Sequence, residues 1–239
     1  MQALNRNPWV KAVLDFMYPP LCLGCGEFNE SVSDICERCL DAVERYDRPF
    51  CLNCRMEITS GHCCHRCGEE SFVLFAWGNY IDPLKAVIHQ FKFKGIATPA
   101  ETFAEALAGQ FGERIKAHGA DRLVPVPLYP TREYARGYNQ SALLAEALGR
   151  RLDVDIDSEI IVRREKRRSQ SRLNEYQRRK NITGVFSVIK DNSNNDDKPP
   201  RLILVDDVVT SGATVFEARR VLTEAGYRVP AVIAAAHGV

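Results

Sequence analysis

The sequence predicts an α/β fold: a parallel sheet flanked by helices, with a small N-terminal four-cysteine metal-binding head. Three observations carry this. Apolar runs alternate with helical patterns from residue 72 onward, the order that builds a parallel sheet with right-handed crossovers. All nine cysteines fall between Cys22 and Cys67. One segment, residues 201–214 (RLILVDDVVTSGAT), sets two adjacent carboxylates between an apolar run and a turn of small residues. The expected division is an N-terminal helix over 1–20, a double zinc ribbon over 21–70 and the sheet domain over 71–239.

Composition bounds the function classes. With 239 residues, 45% of them hydrophobic, the chain has room for one full domain and a small accessory one. A net charge of +1 means that any nucleic-acid affinity must come from a local patch. No apolar run reaches the roughly 18 residues that cross a bilayer. Residues 1–20, MQALNRNPWVKAVLDFMYPP, lack a secretory apolar region and cleavage site. The expected location is cytoplasmic.

Taken in order, Asn7-Pro8 can open a short helix carrying Trp9, Val10, Val13, Leu14, Phe16 and Met17, which Pro19-Pro20 ends. Four C-x-x-C knuckles follow: Cys22/Cys25, Cys36/Cys39, Cys51/Cys54 and Cys64/Cys67. A knuckle presents two thiolates on one edge of a tetrahedron, and a second knuckle supplies the opposite edge. Spacers of 10 and 9 residues favour two sequential zinc sites, with a cross-braced pairing as the alternative. Gly26 and Gly68 each follow a knuckle cysteine, where a tight turn needs them. Cys63 reads as a bystander, and His62 and His65 as surface residues beside a complete set. Redox chemistry fits less well, because no knuckle sits between a strand and a helix. Four-cysteine zinc leaves no open coordination position, so the metal is structural.

A strand is expected over 72–80, then a helix opened by Asp82-Pro83, running through Phe93 and closed by Gly95. Lys92 and Lys94 lie at its end, where they suit either a pyrophosphate or the helix C-terminus. A helix over 100–117, a strand over 123–127 and a helix over 141–152 follow. The segment between the last two, LYPTREYARGYNQ, places Arg132 and Arg136 four residues apart, so one helical turn points both the same way. Gly137 permits a bend, and Asn139 can cap the next helix. Guanidinium forks match pyrophosphate oxygens. A strand at 160–162 leads into residues 163–180, where nine Lys or Arg face only Glu165 and Glu175. This run reads as a mobile anion-binding loop or as a surface for single-stranded nucleic acid, although Tyr176 is its one aromatic. A strand over 184–189, a polar loop over 190–200, the acidic segment, a helix over 215–222 and a strand over 229–236 complete the chain.

Within residues 201–214 a buried strand runs to Val205, then Asp206 and Asp207, then a turn opening a helix. In an α/β sheet ligands bind at that place. The turn can aim backbone N–H groups and three hydroxyls at one anion, helped by the helix N-terminus. Ionised carboxylates only accept hydrogen bonds and so suit vicinal hydroxyls. A phosphate on one side and a diol on the other describe a 5-phosphorylated ribose. A Walker B acidic pair would call for a Walker A loop, and the sequence contains none.

These residues resemble the phosphoribosyl pyrophosphate (PRPP) signature of type I phosphoribosyltransferases. The resemblance implies that Asp206 and Asp207 contact the ribose. It also implies that Val208 and Val209 lead into a loop of Thr210, Ser211, Gly212, Ala213 and Thr214 around the 5-phosphate, with Mg²⁺ accompanying PRPP. With the four knuckles, IHQFKFKG (residues 88–95), VPVPLYPTREYARGYNQ (124–140) and SQSRLNEYQRRKN (169–181), the chain from Cys22 onward is similar to the ComF/GntX family, phosphoribosyltransferase-like proteins associated with competence and DNA uptake. That resemblance implies a type I phosphoribosyltransferase-like fold. It sets Arg136, Gly137, Asn139 and Gln140 beside the pyrophosphate, and Arg168, Gln170 and Arg172 on a flexible catalytic loop. It further implies work on imported single-stranded DNA at the cytoplasmic side, peripheral to the membrane, with a DNA-translocating helicase and recombination proteins as partners.

Two functions follow. In one, the chain is a transferase: a nucleophile displaces pyrophosphate from PRPP, with Asp206, Asp207, Arg136 and Arg168 as the catalytic set and Arg132 offsetting leaving-group charge. In the other it is a non-catalytic PRPP or nucleotide sensor, or a scaffold that holds single-stranded DNA through the basic run from Arg163 to Lys180. No segment specifies a purine, pyrimidine or amine acceptor.

Overall fold

A computed structural model describes residues 19–31, 33–164, 184–189 and 199–238. The expected N-terminal helix, the polar loop and most of the basic run, including Arg168, Gln170 and Arg172, lie outside the described residues.

Six strands form the main sheet: β1 (Phe50–Cys51), β2 (Val73–Asn79), β3 (Arg122–Pro125), β4 (Asp155–Ile156), β7 (Arg201–Val209) and β8 (Arg228–His237). A separate antiparallel pair joins β5 (Ile161–Arg163) to β6 (Phe186–Val188). The order across the sheet is β1-β2-β8-β7-β3-β4. Every neighbouring pair is parallel except β1 with β2. The central strands are buried on both faces, which explains their near-continuous apolar sequence. Along β2, Val73, Phe75 and Trp77 pack on one face while Leu74 and Ala76 pack on the other. Ile203 and Val205 of β7 share the first face, and Leu202 and Leu204 the second.

Three helices cover the first face: α2 (Leu84–Phe93), α3 (Pro99–Lys116) and α5 (Gln140–Leu152). The other face is covered by α6 (Ala213–Glu224) and the β5–β6 pair. Two short helices were not expected as such, α1 (Glu37–Asp41) in the cysteine head and α4 (Pro130–Arg136). In α4, Pro130 holds the first helical position and Gly137 ends the helix at φ 82°, the left-handed conformation that glycine adopts at low cost.

Among the described residues the expected strands and helices are present, with ends shifted by a few residues. One shift matters. β7 does not stop at Val205 but continues through the acidic pair to Val209, so Asp206 and Asp207 are strand residues and the turn begins at Thr210. A second finding is that the cysteine head is hydrogen-bonded into the sheet. Phe50 and Cys51 pair with Leu74 and Val73, and Arg45 bridges Gly78.

The close approach at Gly78 leaves no room for a side chain. A Cβ there would sit 2.8 Å from both the Glu44 carbonyl oxygen and Val43 Cγ1. Gly78→Ala is therefore expected to destabilise the protein by about 1–3 kcal/mol through overpacking, read as a lower urea midpoint at unchanged zinc content.

Candidate functional site

The eight knuckle cysteines form two sequential groups, Cys22/Cys25/Cys36/Cys39 and Cys51/Cys54/Cys64/Cys67, so the cross-braced alternative does not occur. Within each group the sulfur atoms all lie within 4.8 Å of one another. Cys25 Sγ and Cys36 Sγ are 3.9 Å apart, and Cys54 Sγ and Cys64 Sγ 3.5 Å. Four sulfurs at about 2.3 Å from one zinc would stand about 3.8 Å apart, whereas a disulfide would need about 2.05 Å. The groups fit tetrahedral zinc. Local backbone builds them: Gly26 N–H donates to the Cys22 carbonyl and Gly68 N–H to the Cys64 carbonyl, both at 2.8 Å. Gly26 and Gly68 take positive φ of 74° and 55°. At the third knuckle Arg55 does the same at φ 60°. The second knuckle instead opens α1, with Cys36 at its N-cap. Gly24 N–H and Cys36 N–H both donate to Cys22 Sγ at 3.3 Å. Cys63 lies outside both groups, as do His62 and His65.

The second site is at the carboxyl end of β7. Asp206 accepts from Ser141 Oγ at 3.0 Å and from the Asp207 N–H at 2.9 Å. Burial first, then the charge of Asp207, raises the Asp206 carboxyl to about 7, while Lys92 and Ser141 act the other way. Asp207 pairs with Lys92 from the last turn of α2: Nζ to Oδ1 is 2.9 Å, with the two side chains 19% and 11% exposed. The sequence offered Lys92 as a pyrophosphate contact or a helix C-terminal cation, but gave no sign that it pairs with Asp207.

Beyond Val209 the chain turns through Thr210, Ser211 and Gly212 into α6. Gly212 lies at φ 76°, and a Cβ there would meet the Phe216 ring at 3.2 Å. Among the described residues, the N–H groups of Thr210, Ser211 and Gly212 donate to no acceptor. Unpaired backbone N–H groups at a helix N-terminus are the kind of donor that anions bind. Val208 and Val209 contribute differently: they are strand residues, and Val209 is buried in the core against α6.

The RGYNQ segment braces this end of the sheet. Asn139 caps α5 by accepting from Ser141 N–H at 3.0 Å and donates to the Val126 carbonyl at 3.1 Å. Gln140 is fully buried and donates to the Phe91 carbonyl at 3.3 Å. Tyr138 Oη donates to the carbonyls of Phe91 and Ile96. Arg136 of the segment lines a neighbouring cavity. Its guanidinium donates to Gln140 Oε1 at 2.9 Å and lies 4.9 Å from the centre of the Phe93 ring. Arg132 and Arg136 line one cavity of about 610 Å³ with Lys92, Phe93, Gly95 and Ala135. The four-residue spacing thus puts both guanidinium groups on one opening, and Lys92 connects that opening to Asp207.

Residues 13–68 match the double zinc ribbon domain. Over most of its length the chain is similar to competence protein F of Haemophilus influenzae, at 30% identity across 86% of this chain and 91% of the relative. It is also 32% identical to the DNA utilization protein YhgH of Escherichia coli, across 87% of this chain and 88% of that one. The chain belongs to the competence protein F family. Competence protein ComFC of Bacillus subtilis, 29% identical over 86% of this chain and 90% of its own length, is a further member of that group. Among solved structures, a UMP synthase of Leishmania donovani is 18% identical with a TM-score of 0.35, covering 73% of this chain and 27% of that enzyme. An orotate phosphoribosyltransferase of Aeropyrum pernix is 18% identical with a TM-score of 0.31, over 81% and 75% of the two chains. At these scores the structural likenesses bear no weight in the site assignment.

Zinc analysis of purified protein should return two ions per chain, and Cys51→Ser one. A metal-free wild type that still folds would contradict the fit of the two sulfur groups. The raised Asp206 carboxyl makes a separate expectation. Because its folded pKa lies above the ordinary value, the native state holds the proton longer, and wild-type stability falls as pH rises from about 4 to about 7. Asp206→Asn removes that loss. In urea unfolding the variant should gain on wild type by on the order of 2–4 kcal/mol between pH 4 and 7, with no further gain at pH 8.

Proposed function

We propose that the carboxyl end of β7 binds PRPP with Mg²⁺, and that this competence-family protein uses the site in handling DNA taken up by the cell. The observation that carries the reading is the juxtaposition of two carboxylates with three unspent loop N–H groups, a diol acceptor beside a phosphate cradle. On this reading Asp207 takes ribose hydroxyls once Lys92 has left it. Asp206, held by Ser141, fixes the strand end beneath it. Thr210, Ser211 and Gly212, with Ala213 and Thr214 opening α6, take the 5-phosphate. Lys92, Arg132 and Arg136 face the pyrophosphate across the cavity, with Asn139 and Gln140 holding that wall. Mg²⁺ arrives with the ligand, and carboxylate oxygens are the donors it prefers. Transfer to an acceptor would then proceed by offsetting charge on the departing pyrophosphate. The proposed domain boundary stays between residues 70 and 71, with β1 crossing from the ribbon into the sheet.

A second reading, in which the same face holds single-stranded DNA, is favoured by two exposed aromatics among these cations. Phe93 is 58% exposed and Tyr134 92%, and bases stack on such rings. The names of the relatives, competence protein and DNA utilization protein, support a DNA-linked role. The helicase and recombination partners belong to this proposal as well.

Titration calorimetry with PRPP and Mg²⁺ tests the first reading. Asp207→Asn should weaken binding at least tenfold, and equal affinity in wild type and variant would remove Asp207 from the site. For the DNA reading, each phosphate neutralised should add about −0.7 to the log–log salt slope of oligonucleotide binding, and Arg132→Gln with Arg136→Gln should flatten that slope.

A further inference from the structure

At the opposite end of the sheet is a second cavity, of about 70 Å³, roughly five times the 10–15 Å³ that one water needs. The sheet contributes Arg201 and Arg228, the first residues of β7 and β8. The second ribbon contributes His62 and Glu69, and His118, two residues beyond α3, also lines it. None of these residues belongs to the zinc groups or to the site at the end of β7. From Arg201 to Asp207 the strand advances about 20 Å at 3.3 Å per residue, so the two places are distinct.

Two residues that line this cavity each hold a buried polar atom without a partner among the described residues, His118 Nε2 and Arg201 Nε. His118 is 3% exposed. The Arg201 guanidinium is pinned, because another of its nitrogens donates to the His118 carbonyl at 2.9 Å. A guanidinium N–H can only donate, and leaving a buried donor orphaned is destabilising. The lining is also positive on balance. Glu69 is its carboxylate, and that group is taken by Arg228 at 2.8 Å. Burial, and then the charges of His62, Arg201, Arg114 and Arg228, push the His118 imidazole down to about 4. The ring is therefore neutral, and in its Nε2–H tautomer it would donate from Nε2. A cation would be repelled from such a place, and an apolar guest would leave both donors orphaned. A guest with several acceptor atoms and negative charge satisfies them together.

We propose that the cavity between the second zinc ribbon and the amino-terminal end of the sheet binds a free phosphate-type oxyanion, gripped by Arg201 Nε, His118 Nε2 and the Arg228 guanidinium. The cavity is too small for a nucleotide, so the ligand is an inorganic tetrahedral anion. Bound there, it bridges ribbon and sheet.

The test uses the full-length, zinc-loaded protein with inorganic phosphate as the probe. Histidine labelled with ¹⁵N reports locally: the His118 Nε2 resonance, assigned with His118→Gln, should shift on phosphate titration and not on chloride at matched ionic strength. Arg228→Gln, a partly exposed position, should raise the apparent Kd read at His118 at least tenfold. A tungstate-soaked crystal should show an anomalous peak within hydrogen-bond distance of Arg201 Nε. A His118 resonance indifferent to phosphate, or equal titrations in wild type and Arg228→Gln, would overturn the assignment, as would a map with only water in the cavity. Arg201→Lys gives a second check, since it keeps the charge and loses the Nε donor.

Discussion

Two carboxylates on consecutive residues at the end of a buried strand repel each other and lose hydration together. The structure around β7 depends on how that cost is met. Asp206 is met by Ser141 from α5 and by the backbone of its neighbour, and its carboxyl is held in the protonated direction. Asp207 is met by the ammonium of Lys92 from α2. Each compensating group comes from a different helix, so the acidic pair fixes where both helices end. Those ends are tied to each other in turn. Tyr138 and Gln140, which lead into α5, hydrogen-bond to the Phe91 carbonyl one residue before Lys92. Electrostatics at one strand end thus sets the positions of α2 and α5.

The same compensation makes the site responsive to charge. Lys92 belongs both to the ion pair with Asp207 and to the cavity lined by Arg132 and Arg136. An anion entering that cavity competes with Asp207 for the ammonium. On the proposed reading, pyrophosphate draws Lys92 away, and the freed carboxylate accepts the ribose hydroxyls. In that proposal the partly buried pair stands in for the ligand and keeps Asp207 paired in a poorly hydrated place until the ligand arrives. A buried charge left without its partner is far more costly than one that exchanges partners.

Local features were legible in the sequence, and long-range pairings were not. The cysteine groups could be read because spacing alone restricts which thiolates share a tetrahedron, and short spacers favour local closure. The strand, turn and helix around Asp206, Asp207 and Gly212 could be read because each has a local signature, an apolar run, small residues and then helical periodicity. The end of β7 was misplaced because two carboxylates look like a loop. They remain in the strand because β8 pairs with Asp206 and continues beyond it to Val209. The pairing of Lys92 with Asp207 joins residues far apart in sequence, and no local pattern encodes it. In RGYNQ the residue types are those of a polar binding segment, yet Tyr138, Asn139 and Gln140 spend their hydrogen bonds on backbone carbonyls. Only their burial reveals that. The two-residue strand β1 is too short to carry any periodicity.

That short strand has a larger consequence than its length implies. Cys51 is at once a member of the second sulfur group and a β1 residue paired with Val73. The metal site and the sheet therefore share backbone. β1 covers the outer edge of β2, whose other side is taken by β8. An uncovered edge of a largely apolar strand is a template for pairing with other chains. The ribbon has few aliphatic residues and would rely on metal, with about 10–16 kcal/mol of apparent binding energy per zinc, to hold its fold. The head thus has a structural task apart from any partner it binds. It holds a metal-stabilised strand against β2, so loss of zinc from the second group would unfold the ribbon and uncover the edge of the sheet in one step.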